Sequence, residues 1–193
     1  MAAALRNIIF ASVAALVLAA GFEGAKVAWR AVLTAGTAAE GKSFDMSADA
    51  LASAFNSKAQ ALHVTERMAL EQCKTVQRWV CNYRLADGLT ALTGTSSGAR
   101  RITDVYLFWS VSPGTSDSFV RAADILLSLF SSRATADERQ VALDTLTAGV
   151  NRRSNEWAGK MTLHGVDYQL CGSDLLVVLV VSGSRSCEDL RKA

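Results

Sequence analysis

One proline stands in 193 residues. That excludes a proline-rich linker and leaves no compositional break between domains. Histidine is scarce as well: His63 and His164 are the only two that a histidine-dependent mechanism could use. No GxxxxGK[ST] or GxGxxG run is present, so the chain carries no signature of a phosphate-cradling loop. Charge of one sign is also missing. Twenty Lys plus Arg face eighteen Asp plus Glu. The only adjacent basic pairs are Arg100-Arg101, Arg152-Arg153 and Arg191-Lys192. Binding to nucleic acid needs several cations converging on one surface, so no nucleic-acid partner is expected. With two histidines and no C-x₂-C spacing, no metal site and no cofactor are expected either.

What is present begins with "MAAALRNIIFASVAALVLAAGFEGAK". Arg6 precedes an apolar run from Ile8 to Ala20 that only Ser12 interrupts. This run of 13 residues is shorter than the ~20 that a spanning helix needs. A positive start, a short apolar run and small residues after it are the pattern of a secretory signal peptide, here residues 1–21, with Ala19-Ala20-Gly21 suited to cleavage. The alternative is an uncleaved anchor over residues 8–33, the one route by which the chain would meet a membrane. Both readings export the remainder, to the periplasm or out of the cell.

An even number of cysteines in an exported chain favours disulfides. Cys73 and Cys81 lie close in sequence, as do Cys171 and Cys187. If one long strand follows Cys171, a return from Cys187 needs nearly full extension. The expectation is therefore cross-linking between the two pairs, tying the middle of the chain to its end.

The hydrophobic patterning gives one α+β domain over residues 47–193, after a flexible lead-in at 22–46. Ser47 suits a helix N-cap, and Leu51, Phe55, Ala59 and Leu62 share one helical face. Residues 64–72 fit either a short helix or an approach to a strand. "VQRWVCNYRL" and "LTALTGT" flank Ala86-Asp87-Gly88, a hairpin signal, and "ITDVYLFWSVS" is a third strand. Two helices follow; the second opens on Thr135 with Glu138 three residues on, a capping box. "GKMTLHGVDYQL" and "DLLVVLVVSG" are strands four and five. The expected order is α-βββ-αα-ββ: about five largely antiparallel strands with helices on one face. "LLVVLVV" has no polar alternation, so the last strand belongs at the centre with both faces covered.

Two features suggest chemistry. "GTSSG" at residues 94–98 matches the G-x-S-x-G elbow of serine hydrolases, but a strand follows it where the elbow needs a helix. The aromatics are the stronger signal. Trp79 and Tyr83 share a face by parity, as do Tyr106 and Phe108. If both pairs lie on one side, they form an apolar patch away from the helices, unless residues 22–46 cover it. The sequence thus points to an exported, non-enzymatic binding protein. Its aromatic sheet face would take a protein partner or an apolar ligand, with a homodimer as one form of partner. The rival readings are a hydrolase using Ser96 and an envelope protein held by residues 8–33.

Overall fold

In a computed structural model of the protein, the structure describes residues 43–75, 79–96, 100–110, 116–148, 157–172 and 176–182. The expected signal peptide, residues 22–42 of the lead-in and Cys187 lie outside the described residues. Among the described residues, seven antiparallel strands form a single sheet, ordered β1-β2-β3-β4-β7-β6-β5. They are β1 (Met68–Thr75), β2 (Trp79–Leu85), β3 (Thr90–Thr95), β4 (Ile102–Ser110), β5 (Trp157–Leu163), β6 (Val166–Gly172) and β7 (Leu176–Ser182). Three α-helices among the described residues join them: α1 (Leu51–Ala61), α2 (Ser116–Phe130) and α3 (Ala136–Thr147). The α+β class is as expected, with two strands more than the pattern suggested. No helix among the described residues is long and apolar enough to cross a membrane.

The first extra strand is β1. It is an edge strand, exposed along most of its length and bulged between Leu70 and Gln72. A strand with little buried surface shows no period of two, which is why residues 64–72 were ambiguous in sequence. The second comes from dividing "GKMTLHGVDYQL". His164 and Gly165 take positive φ values of 49° and 80° and turn the chain back, so β5 and β6 form a hairpin. The Asp-Gly signal holds: Asp87 (φ 57°) and Gly88 (φ 76°) make the turn, and Leu85 N–H donates to Leu89 O at 2.9 Å.

The end of the lead-in is fixed. Phe44 N–H donates to Ile102 O and Ile102 N–H to Met46 O, so these residues run along the start of β4. Ser47 is extended and caps nothing with its side chain; a 3-10 turn at Ala48–Ala50 leads into α1 instead. The box on α3 forms as its sequence requires, with Thr135 Oγ1 accepting from Glu138 N–H and the Glu138 carboxylate accepting from Thr135 N–H. Those hydrogen bonds from Thr135, with a smaller contribution from His164, hold the Glu138 carboxyl below its ordinary range. Arg139, nearly buried, ties α3 to α2 through Asp124 at 2.7 Å.

All three helices pack on one face of the sheet. Odd-numbered residues of β2, β3, β4 and β7 point towards them, among them Tyr83, Ala91, Val105, Leu107, Leu179 and Val181, joined by Tyr168 and Leu170 from β6. Leu51, Phe55, Leu126, Leu127 and Leu146 close this core from the helix side. Each such Leu or Phe contributes ~1.5–3 kcal/mol by leaving water.

Cys73 and Cys81 are bonded to each other, with Cα atoms 4.1 Å apart. This overturns the expected links between the two cysteine pairs. Once β1 extends to Thr75, the hairpin register sets Cys73 directly opposite Cys81, and a local bridge becomes the short one. Closing so small a loop restricts the unfolded chain by about 2.5 kcal/mol. The Cys73→Ser/Cys81→Ser variant is expected to lose that much in urea unfolding, with β1 fraying first by hydrogen exchange. An unchanged midpoint would show that the bridge constrains nothing.

Candidate functional site

Even-numbered residues of the central strands point away from the helices. In register across the sheet stand Leu92, Tyr106 and Val180, and below them Phe108 and Val178. They form a second apolar cluster, separate from the core and flanked by Cys171 and Leu176. The Tyr106 and Phe108 rings, two residues apart on β4, have centroids 6.3 Å apart and planes 20° apart. At one end of the cluster Asp104 is buried, accepting from Ser182 Oγ at 2.8 Å and Thr103 Oγ1 at 2.9 Å. A polar edge follows on β1 and β2, where Glu71 accepts from Asn82 Nδ2 at 2.7 Å and pairs with Arg84 at 3.1 Å.

No described helix or strand lies over this rear face. The cluster is nevertheless shielded: Tyr106 is 1 % exposed and Val180 0 %.

The four aromatics singled out in the sequence do not meet. Tyr83 pairs with Ala91, and Ala91 with Leu107, which places Tyr83 and Trp79 on the helix side. Tyr106 and Phe108 occupy the rear. Parity within a strand was legible; the relation between strands depends on the loop joining them and on the bulge at Gly94/Thr95. Leu92, Val178 and Val180 complete the rear cluster. The unbroken "LLVVLVV" run was the signal for Val178 and Val180, and β7 is indeed central, between β4 and β6.

Tyr83 serves structure. Its hydroxyl donates to Ala48 O at 2.5 Å, fixing the turn before α1. Burial pushes its pKa up to about 12, and burial raises that of Tyr168 as well. In both cases the folded value lies above the unfolded one. The neutral form is favoured in the fold, so stability is intact below pH ~10 and is lost as pH climbs towards the folded value. An alkaline titration is expected to show tyrosinate absorbance from these two only together with loss of far-ultraviolet dichroism. Free ionisation at pH ~10 in the folded chain would contradict their burial.

Trp79 is half-buried, with the Arg100 guanidinium 4.3 Å from its ring centroid. Ser96 N–H donates to Arg101 O at 2.9 Å and closes the link from β3 to β4. A strand follows, so the nucleophile elbow is not formed. His164 sits in the β5–β6 turn, 3.5 Å from Glu138, and His63 ends α1 at φ 56°. Asp49, Cys73 and Cys81 are the one group among the described residues with metal-ligand atoms close together. The two sulfurs are bonded to each other, so neither is available as a thiolate.

Comparison with protein-family models, with curated proteins and with solved structures finds no match to this chain.

Proposed function

We propose that the chain is an exported binding protein, not an enzyme, and that the rear face of its sheet takes up a protein segment or an apolar ligand. The observation that carries this reading is the gathering of Leu92, Tyr106, Phe108, Val178 and Val180 on the side away from all three helices. Apolar residues on both faces of a sheet imply a second covering layer, and the described elements supply only one. Tyr106 and Phe108 keep the role the sequence suggested for them; Trp79 and Tyr83 lie on the other side. The Cys73–Cys81 bridge supports export, because such bonds persist in oxidising compartments.

The test is titration calorimetry of the full chain with a medium-chain fatty acid and with an apolar peptide. Tyr106→Ala and Phe108→Ala are expected to weaken binding roughly tenfold each, about 1.4 kcal/mol, with unchanged dichroism. No binding to the parent chain, or equal binding to the variants, would remove the rear face from the function.

A further inference from the structure

Asp49, Cys73 and Cys81 come from three separate elements and meet at one point. Their ligand atoms, a carboxylate oxygen and two sulfurs, all lie within 4.8 Å of one another. Asp49 Oδ1 stands 3.9 Å from Cys73 Sγ. A bridge sulfur carries no proton, so the carboxylate receives no hydrogen bond from it. Asp49 is exposed, Cys73 half-buried and Cys81 buried. The group therefore opens to solvent at one end and is rooted in the core at the other.

Each member has supports besides the bridge. Cys73 stands opposite Cys81 in a ladder where Gln72 pairs with Asn82 and Lys74 with Val80. Asp49 lies in the 3-10 turn Ala48–Ala50. That turn is held by the Tyr83 hydroxyl on Ala48 O, by Ala48 N–H on Arg100 O at 3.1 Å, and by the pairing of Ser47 with Arg101. Opening the bridge removes one tie and leaves the ladder and the turn to keep the three donors near one another.

Two sulfurs and one carboxylate oxygen suit zinc. Tetrahedral zinc, bonded at ~2.3 Å to sulfur and ~2.1 Å to oxygen, sets its sulfurs about 3.8 Å apart and the oxygen about 3.6 Å from each. The carboxylate already stands close to that spacing. The sulfurs must part, which a turn of the half-buried Cys73 side chain supplies.

We propose that Asp49, Cys73 and Cys81 form a redox-gated zinc site: the bonded sulfurs close it, and two-electron reduction opens it to the ion, with water as fourth ligand. A dithiol reductant attacks Cys73 Sγ, the more exposed sulfur, and Cys81 leaves as a thiolate and takes up a proton. The second thiol of the reductant then releases Cys73 and closes the reductant's own disulfide. Zinc binds both sulfurs as thiolates, and two protons pass to water. The ion replaces the bridge as the tie between β1 and β2 and joins the turn before α1 to both. The site lies on the helix side of the sheet, so it is independent of the rear-face reading.

Cobalt(II) is the optical probe. The oxidised full chain is expected to show no thiolate-to-cobalt charge transfer. After reduction with a dithiol and anaerobic desalting, cobalt is expected to bind with the visible bands of a tetrahedral site, and zinc to displace it. Cys73→Ser is expected to lose the charge transfer and Cys171→Ser to keep it. Asp49→Asn is expected to weaken zinc binding by roughly tenfold or more while the two sulfurs still bind. Charge transfer in the oxidised chain, an unchanged Cys73→Ser spectrum or an unchanged affinity in Asp49→Asn would overturn the proposal.

Where a variant fails to fold, the reduced parent chain decides. Tryptic peptides 68–74 and 79–84 carry Cys73 and Cys81. Zinc is expected to slow iodoacetamide labelling of both by roughly tenfold or more. No protection, or protection confined to Cys171 and Cys187, would overturn the site.

Discussion

Replacing Arg121 with alanine is expected to lower stability by about 3 kcal/mol, well beyond the usual cost of a surface change. Arg121 looks like a surface residue, its side chain 43 % exposed on α2. Its partner is not. The Glu66 side chain is only 4 % exposed, in the segment between α1 and β1. Glu66 Oε1 accepts from Arg121 Nε, and Oε2 is buried with no hydrogen-bond partner. Arg121 also donates to Ser118 Oγ at 3.1 Å, and Ser118 donates to the Asp87 carboxylate at the β2–β3 turn. One cation thus joins a helix, the approach to the edge strand and a hairpin tip. Its charge is reinforced there: the Glu66 hydrogen bond raises its pKa most, with Asp117 and Asp87 adding to the effect.

The expected cost is asymmetric. Arg121→Ala leaves a buried carboxylate without its cation, the expensive way to break a pair. Glu66→Ala leaves an arginine that water can solvate, so its loss is expected nearer 1 kcal/mol. Urea unfolding of both variants and of the double variant gives the coupling directly. A larger loss for Glu66→Ala than for Arg121→Ala would show that the buried partner has been misidentified. Arg121→Lys is expected to fall between, since an ammonium cannot hold Glu66 and Ser118 with a fixed fork.

None of this network was visible in the sequence, where Glu66 and Arg121 stand 55 residues apart. What the sequence showed well were features whose cause is local. The Thr135–Glu138 box, the Asp87-Gly88 turn and the central place of "LLVVLVV" each follow from a few adjacent residues. The failures share a different cause. The cysteine pairing follows from β1, and β1 shows no alternation because it is an exposed edge. The division of β5 from β6 depends on His164 accepting a left-handed backbone; Gly165 beside it was the local signal for a turn, weaker than Asp-Gly because histidine is not a usual first residue there. The aromatic pairs were correctly matched within strands and wrongly joined between them, because register is a property of loops and bulges. Of the rear face, Tyr106 and Phe108 were legible as residues; their partners became evident only when β7 was set beside β4.

A second variant, Gly159→Ala, is expected to cost about 3 kcal/mol, at the upper end for overpacking. Gly159 lies on β5 opposite Leu170, facing the helices. A Cβ there would sit 2.5 Å from the Leu146 carbonyl oxygen and 3.0 Å from its Cα. Both are backbone atoms in the last turn of α3, so no side chain can swing aside. The helix end must lift, and Leu146, 1 % exposed, loses contact with the core. Alanine narrows the unfolded ensemble, which returns ~0.4–1 kcal/mol and does not reverse the sign. Gly165 is the control. It has open space around it but φ +80°, so Gly165→Ala meets no clash and pays only for a left-handed backbone, ~1–2 kcal/mol. The mechanisms separate by substitution: Gly165→Asn should recover part of the loss, while Gly159→Ser should be no better than alanine. The two faces of the sheet should separate as well. Tyr168 hydrogen-bonds to Ser131, just beyond α2, so a lifted α3 is expected to speed its nitration while Tyr106 stays protected. Equal acceleration of both would mean that the two faces of the sheet open as one unit, and the account of two separate apolar clusters would fail.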